Sequence, residues 1–143
     1  MDYPLINKRY IHLTQIGKKG IIKVNELIDL AAKNKFNGVI LQIKRDVCFD
    51  TFGDSKLKDS FLTKESLIEI INYCRTKGFE VIVEFKLLTH QDRFYFKKDY
   101  LINKRTYDTQ NPEVYTQLSS LFKEVKYDLN VDGIHIYRDN HYQ

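Results

Sequence analysis

Apolar residues recur along this chain in two periods that take turns from one end to the other. Tyr10-Ile11-His12-Leu13-Thr14 is a short apolar run that predicts a first strand. Val24, Leu27, Ile28 and Ala31, with Ala32 alongside, fall at helical spacing, and Asn37-Gly38 follows as a helix-stop signal. Val39-Ile40-Leu41-Gln42-Ile43 predicts a second strand, with a loop from Lys44 to Leu62 after it. Thr63 is a good helix N-cap, Glu65 suits the positive end of the helix dipole, and Leu67, Ile70, Ile71 and Cys74 make the stripe that ends at Lys77-Gly78. Phe79 to Phe85 predicts a third strand, and a long loop runs from Lys86 to about Gln110. Asn111-Pro112-Glu113 is a helix start, followed by the stripe Val114, Leu118, Leu121, Phe122 and Val125. Val131-Asp132-Gly133 then turns into a fourth strand, Ile134-His135-Ile136-Tyr137.

The order is β-α-β-α-β-α-β, which predicts an α/β fold with a parallel sheet and right-handed crossovers. Such sheets bind ligands at the carboxyl ends of their strands. Those ends are Thr14-Gln15, Lys44-Arg45-Asp46, Lys86 through His90, and Arg138-Asp139-Asn140. The first strand is followed by no Gly-rich phosphate loop: Gly17 and Gly20 merely flank two lysines. A Gly-x-Ser-x-Gly elbow is also missing. Nucleotide binding in a doubly wound sheet therefore loses its main support, although an open sheet with helices on both faces remains the alternative architecture.

Composition narrows the classes. The 143 residues are 43% hydrophobic and 29% charged, a globular balance that sets disorder aside. The length suits one domain, residues 1–143. The 23 Lys and Arg against 19 Asp and Glu give a mild +4 without a basic stripe, so no nucleic-acid partner is expected. No run reaches the roughly 20 apolar residues of a membrane helix, and the first residues lack a signal-peptide pattern, so the chain reads as soluble, with no membrane partner and an open compartment. Cys48 and Cys74 match no metal spacing and read as buried or half-buried thiols.

A Glu inside an apolar strand is costly to bury unless it is paired. Glu84 is such a residue, and His90 follows six positions later. This strand, with its Glu and following His, resembles the third strand of the family 20 glycoside hydrolases, the β-N-acetylhexosaminidases. That family's pattern has a Pro before the Glu and an Asp two after it; Val83 and Lys86 stand there. Arg9-Tyr10-Ile11-His12-Leu13 resembles the first strand, which opens on a substrate-binding Arg, and Gly38 to Asp46 the second, whose terminal acidic pair is here Arg45-Asp46. Asn111-Pro112-Glu113-Val114-Tyr115 is similar to the Asn-Pro-x-x-Tyr helix start. His135 through Asn140 is similar to the His-x-Gly-Gly-Asp-Glu signature. The resemblance spans residues 9 to 140 and implies the first four units of a (β/α)8 barrel, which as a whole takes about 250 residues.

The resemblance also implies a mechanism in which the acetamido oxygen of the sugar attacks its own anomeric carbon. Asp139 falls on the carboxylate that orients this acetamido group. Asn140 falls on the general acid, and an amide has no titratable proton to give. Tyr137 and Arg138 replace the two glycines, and the chain has no Trp. Hydrolysis of N-acetylhexosaminides is accordingly expected to be impaired, with carbohydrate as the partner and no cofactor or metal. The substrate-binding candidates are Arg9, Asp46, Glu84, His90 and His135.

Each candidate also has a plainer reading. Arg9 stands beside Lys8 as a solvated cation would, and His12 and His135 lie between apolar neighbours as core histidines do. Glu84 reads equally as a buried acid paired with Arg9, Lys44 or Lys86, His90 as a loop residue, and Asp139 as part of a polar tail. The stretch Gln91 to Tyr100 mixes aromatics with bases, suiting sugar stacking, single-stranded nucleic acid or a rim-covering lid. The competing function is a non-catalytic sugar-binding or structural half-barrel, completed by dimerisation or by a partner chain that supplies the missing C-terminal half.

Overall fold

The computed structural model describes residues 7–43, 47–52, 62–86, 101–102, 106–108 and 110–137. Four strands form one parallel sheet: β1 (Tyr10–Leu13), β2 (Gly38–Ile43), β3 (Glu80–Lys86) and, last in the chain, β6 (Gly133–Tyr137), in the order β1-β2-β3-β6. The helices between them are α1 (Ile16–Lys33), α2 (Lys64–Thr76) and α3 (Pro112–Glu124), the last continued by a π turn over Val125–Leu129. The predicted alternation is therefore the observed one.

Strand parity places the core. Val39, Leu41 and Ile43 of β2 and Val81, Val83 and Phe85 of β3 share one sheet face and are fully or almost fully buried. They join one apolar cluster with Val24, Ile28 and Ala31 of α1, Leu67, Ile70, Ile71 and Cys74 of α2, and Val114 and Leu121 of α3. All three helices thus cover the same face. Each buried aliphatic side chain there contributes about 1.5–3 kcal/mol. A doubly wound sheet needs helices on both faces, so the arrangement is that of half a (β/α)8 barrel, with the opposite face as its interior.

Local signals explain the helix ends. The Thr63 hydroxyl accepts the Ser66 N–H at 3.1 Å, and the Asn111 side chain accepts the Glu113 N–H at 3.0 Å, with Pro112 behind it at a position that has no N–H to waste. Gly78 ends α2 at φ +75°, a conformation glycine adopts without a Cβ penalty.

Two boundaries differ from expectation. α1 opens with a helical turn that starts at the buried Ile16, and Gly20 at φ +80° breaks the helix between that turn and the Val24 stripe. Asn37-Gly38 does not stop α1, which closes at Asn34; Gly38 is the first residue of β2, where the Tyr10 ring lies over its Cα and leaves no room for a Cβ. The loop predicted from Lys86 to Gln110 contains a small antiparallel ribbon, β4 (Leu101–Ile102) with β5 (Thr106–Tyr107). Among the described residues no helix is long and apolar enough to cross a membrane. Cys74 is buried and Cys48 half-buried, as read from the sequence, and burial pushes the Cys74 thiol up to about 12.

Candidate functional site

Every second residue of the strands points to the interior face: Tyr10 and His12, Ile40 and Gln42, Ile82 and Glu84, Gly133 and His135. Gln42, Glu84 and His135 are register partners on three adjacent strands, and His12 reaches over from β1. Four side chains from four strands therefore meet at the carboxyl half of the sheet.

Glu84 is the centre, with a side chain only 3% exposed. One carboxylate oxygen accepts the Gln42 amide N–H at 2.9 Å and lies 3.0 Å from His12 Nε2. The other lies 2.7 Å from His135 Nδ1. Burial pushes the Glu84 carboxyl upward, but the hydrogen bonds from Gln42 and His135 and the attraction of His12 outweigh it, so the group sits below the ordinary carboxylate range. The anion is thus kept in the interior by three donors, which is what makes its burial tolerable. The two imidazoles are far more open, 46% and 53% exposed.

Of the residues singled out from the sequence, the structure brings together Glu84 and His135. Arg9 lies just before β1 at the opposite end of the strand; its backbone N–H donates to Asn37 Oδ1 at 2.8 Å, and its side chain makes none of the Glu84 bonds. Asp46, His90, Asp139 and Asn140 lie outside the described residues, as do Lys44 and the aromatic stretch from Gln91 to Tyr100. Two members of the group were missed as site residues, Gln42 and His12. The signal for Gln42 was in the sequence: like Glu84, it is a lone polar residue one place before the end of an apolar strand run, on the face opposite its apolar neighbours.

A second polar group fixes the segment after β2 at the same edge. The Glu124 carboxylate accepts the backbone N–H groups of Asp50 and Thr51 at 2.7 and 2.8 Å, holding the 3-10 turn Asp50–Phe52 against α3. Lys64, at the start of α2, donates to Asp50, Asp128 and Glu124 at 2.5, 2.9 and 3.3 Å. The hydrogen bond to Asp50 dominates over the opposing effect of burial and, with Asp128 and Glu124, raises the Lys64 pKa well above the lysine range. The oxygens of Asp50, Glu124 and Asp128 lie close enough to hold a cation, and the Lys64 ammonium is the cation they hold.

The four-stranded parallel unit with its helices on one face recurs in known structures. The chitobiase of Flavobacterium johnsoniae matches with a TM-score of 0.77 at 20% identity, over 96% of this chain and 24% of that one. The β-N-acetylhexosaminidase of Bacteroides fragilis matches with a TM-score of 0.76 at 15% identity, over 94% and 32%. The family 20 exo-β-N-acetylglucosaminidase of Vibrio harveyi, solved with N-acetylglucosamine, matches at 0.75 and 16%, over 94% and 28%. This chain has the fold of part of a family 20 β-N-acetylhexosaminidase barrel and spans a quarter to a third of the length of these enzymes. No protein-family model and no curated protein matches its sequence.

Proposed function

We propose that the chain is a carbohydrate-binding module of the β-N-acetylhexosaminidase type, with N-acetylhexosamine sugars as ligands and hydrolysis impaired by Asn140 at the general-acid position. The observation that carries the reading is the match of the four-stranded unit, over nearly the whole chain, to enzymes that act on N-acetylhexosaminides. The buried Glu84 anion, flanked by two open imidazoles on the interior face, supports it, because such a face offers fixed hydrogen-bonding groups beside apolar ones. If Asp139 orients the acetamido group, the chain keeps half of the catalytic pair.

The test is calorimetric titration with N-acetylglucosamine and its β-1,4 dimer, beside a turnover assay on a chromogenic N-acetyl-β-glucosaminide. Binding with negligible turnover is the expected outcome. Asn140→Glu then raises turnover by about 10²–10⁴-fold, the usual contribution of a positioned general acid. Brisk turnover by the unaltered chain refutes the impairment, and the absence of sugar binding refutes the reading as a whole.

A second reading, a structural half-barrel completed by another copy or another chain, is favoured by one observation. Ile134 and Ile136 of β6, on the helix-side face of the last strand, are 36% and 49% exposed, where their counterparts on β2 and β3 are buried.

A further inference from the structure

We infer that Glu84 is a positioning residue and that the groups which touch a ligand on the interior face are the free ring nitrogens of His12 and His135. This rests on the carbohydrate reading and refines it to particular atoms.

The argument begins with the inventory of donors. An ionised carboxylate only accepts hydrogen bonds. Gln42 therefore donates through Nε2, and the two imidazoles must donate as well: His12 through Nε2 at 3.0 Å and His135 through Nδ1 at 2.7 Å. A neutral imidazole carries one N–H, and the hydrogen bond made by one ring nitrogen decides the state of the other. Glu84 thus selects opposite tautomers in its two neighbours. His12 is left with Nδ1 as a bare acceptor and His135 with Nε2, and neither atom has a partner among the described residues. Both rings are about half exposed, whereas Glu84 is sealed beneath them.

Glu84 itself is poorly suited to meet a ligand, because both of its oxygens are engaged and its side chain is 3% exposed. Nor do the two imidazoles and Glu84 read as a metal site: each ring meets a different carboxylate oxygen, and among the described residues only Asp50, Glu124 and Asp128 bring three ligand atoms close enough together to hold an ion. Two fixed acceptors instead suit a ligand that donates two hydrogen bonds and carries no charge of its own, which is the chemistry of vicinal sugar hydroxyls. Ile40 and Ile82, register partners on the same face, add a half-buried apolar surface against which the C–H face of a pyranose packs.

Long-range ¹H–¹⁵N spectra of the ¹⁵N-labelled chain at neutral pH test this directly. The expected pattern is a single Nε2–H tautomer for His12 and a single Nδ1–H tautomer for His135. N-acetylglucosamine is expected to shift His12 Nδ1 and His135 Nε2, and replacing either ring (His12→Gln, His135→Asn) to weaken its binding about tenfold, the worth of one neutral hydrogen bond. In Glu84→Gln, where a neutral amide no longer enforces two donors, the tautomers become mixed. Should that variant fail to fold, the unaltered chain still decides the question. Mixed tautomers there overturn the inference, and so does sugar binding that leaves both ring nitrogens unmoved; either result spares the carbohydrate reading. A chain that binds no sugar at all removes both.

Discussion

Glu84 is the residue on which the interior face turns, and its charge state sets how the molecule responds to acid. Its carboxyl is held below the ordinary value of 4.5 in the folded chain. A depressed folded pKa means that the unfolded chain binds the proton more readily, so the group stabilises the fold fully above about pH 4.5 and loses that contribution as pH falls through the lower, folded value. Urea unfolding of the unaltered chain and of Glu84→Gln between pH 7 and pH 3 reads this out. The stability gap between them is expected to be constant at the upper end and to narrow below pH 4.5; a gap that stays level to pH 3 would show that the carboxylate gains nothing from its partners. At this scale the sequence shows that Glu84 needs partners but not which ones. Of the cations it suggests, Arg9 lies at the other end of β1, while register delivers Gln42 and His135, and only the curl of the sheet brings His12 across a strand.

Secondary elements carry the most legible information, because caps and stripes are local. Thr63, Gly78 and Asn111-Pro112 act where their chemistry says they should. What is not legible is a role set by a distant partner. Gly38 looks like a helix stop, yet its requirement comes from the Tyr10 ring on the next strand. Gly38→Ala is therefore expected to cost about 1–3 kcal/mol in chemical denaturation, as overpacking does, and a second change, Tyr10→Ala, should cancel part of that penalty instead of adding to it. Lys64 is similar: it appears in the sequence only as the residue after an N-cap, but it balances three carboxylates from two other segments. Lys64→Met leaves Glu124, 7% exposed, facing those acids without its cation. The expected loss is about 3 kcal/mol, the lower end of the range for breaking a buried pair, since Asp50 and Asp128 are open to solvent.

The whole molecule poses the question of closure. A barrel removes its own sheet edges, whereas a four-stranded parallel half has two, which among the described residues are β1 and β6. The parallel sheet was legible from the order of elements and the half-barrel from the family resemblance, because element order alone does not choose between a barrel and an open sheet; nor can the sequence say what lies beside the outer strands. If a second copy completes the sheet, β6 of each protomer pairs in parallel with β1 of the other about a two-fold axis along the barrel, and eight strands close. Sedimentation then gives twice 17.1 kDa at micromolar concentration. Ile136→Lys, which puts a charge on the half-exposed face of the joining strand, shifts the mass to that of one chain and weakens sugar binding in step, because the interior face is then only half enclosed. An unaltered chain that sediments as a monomer and binds N-acetylglucosamine with the same affinity as the Ile136→Lys variant excludes self-completion. It would leave the open sheet, with Glu84 and its two histidines, as a sufficient binding surface on its own.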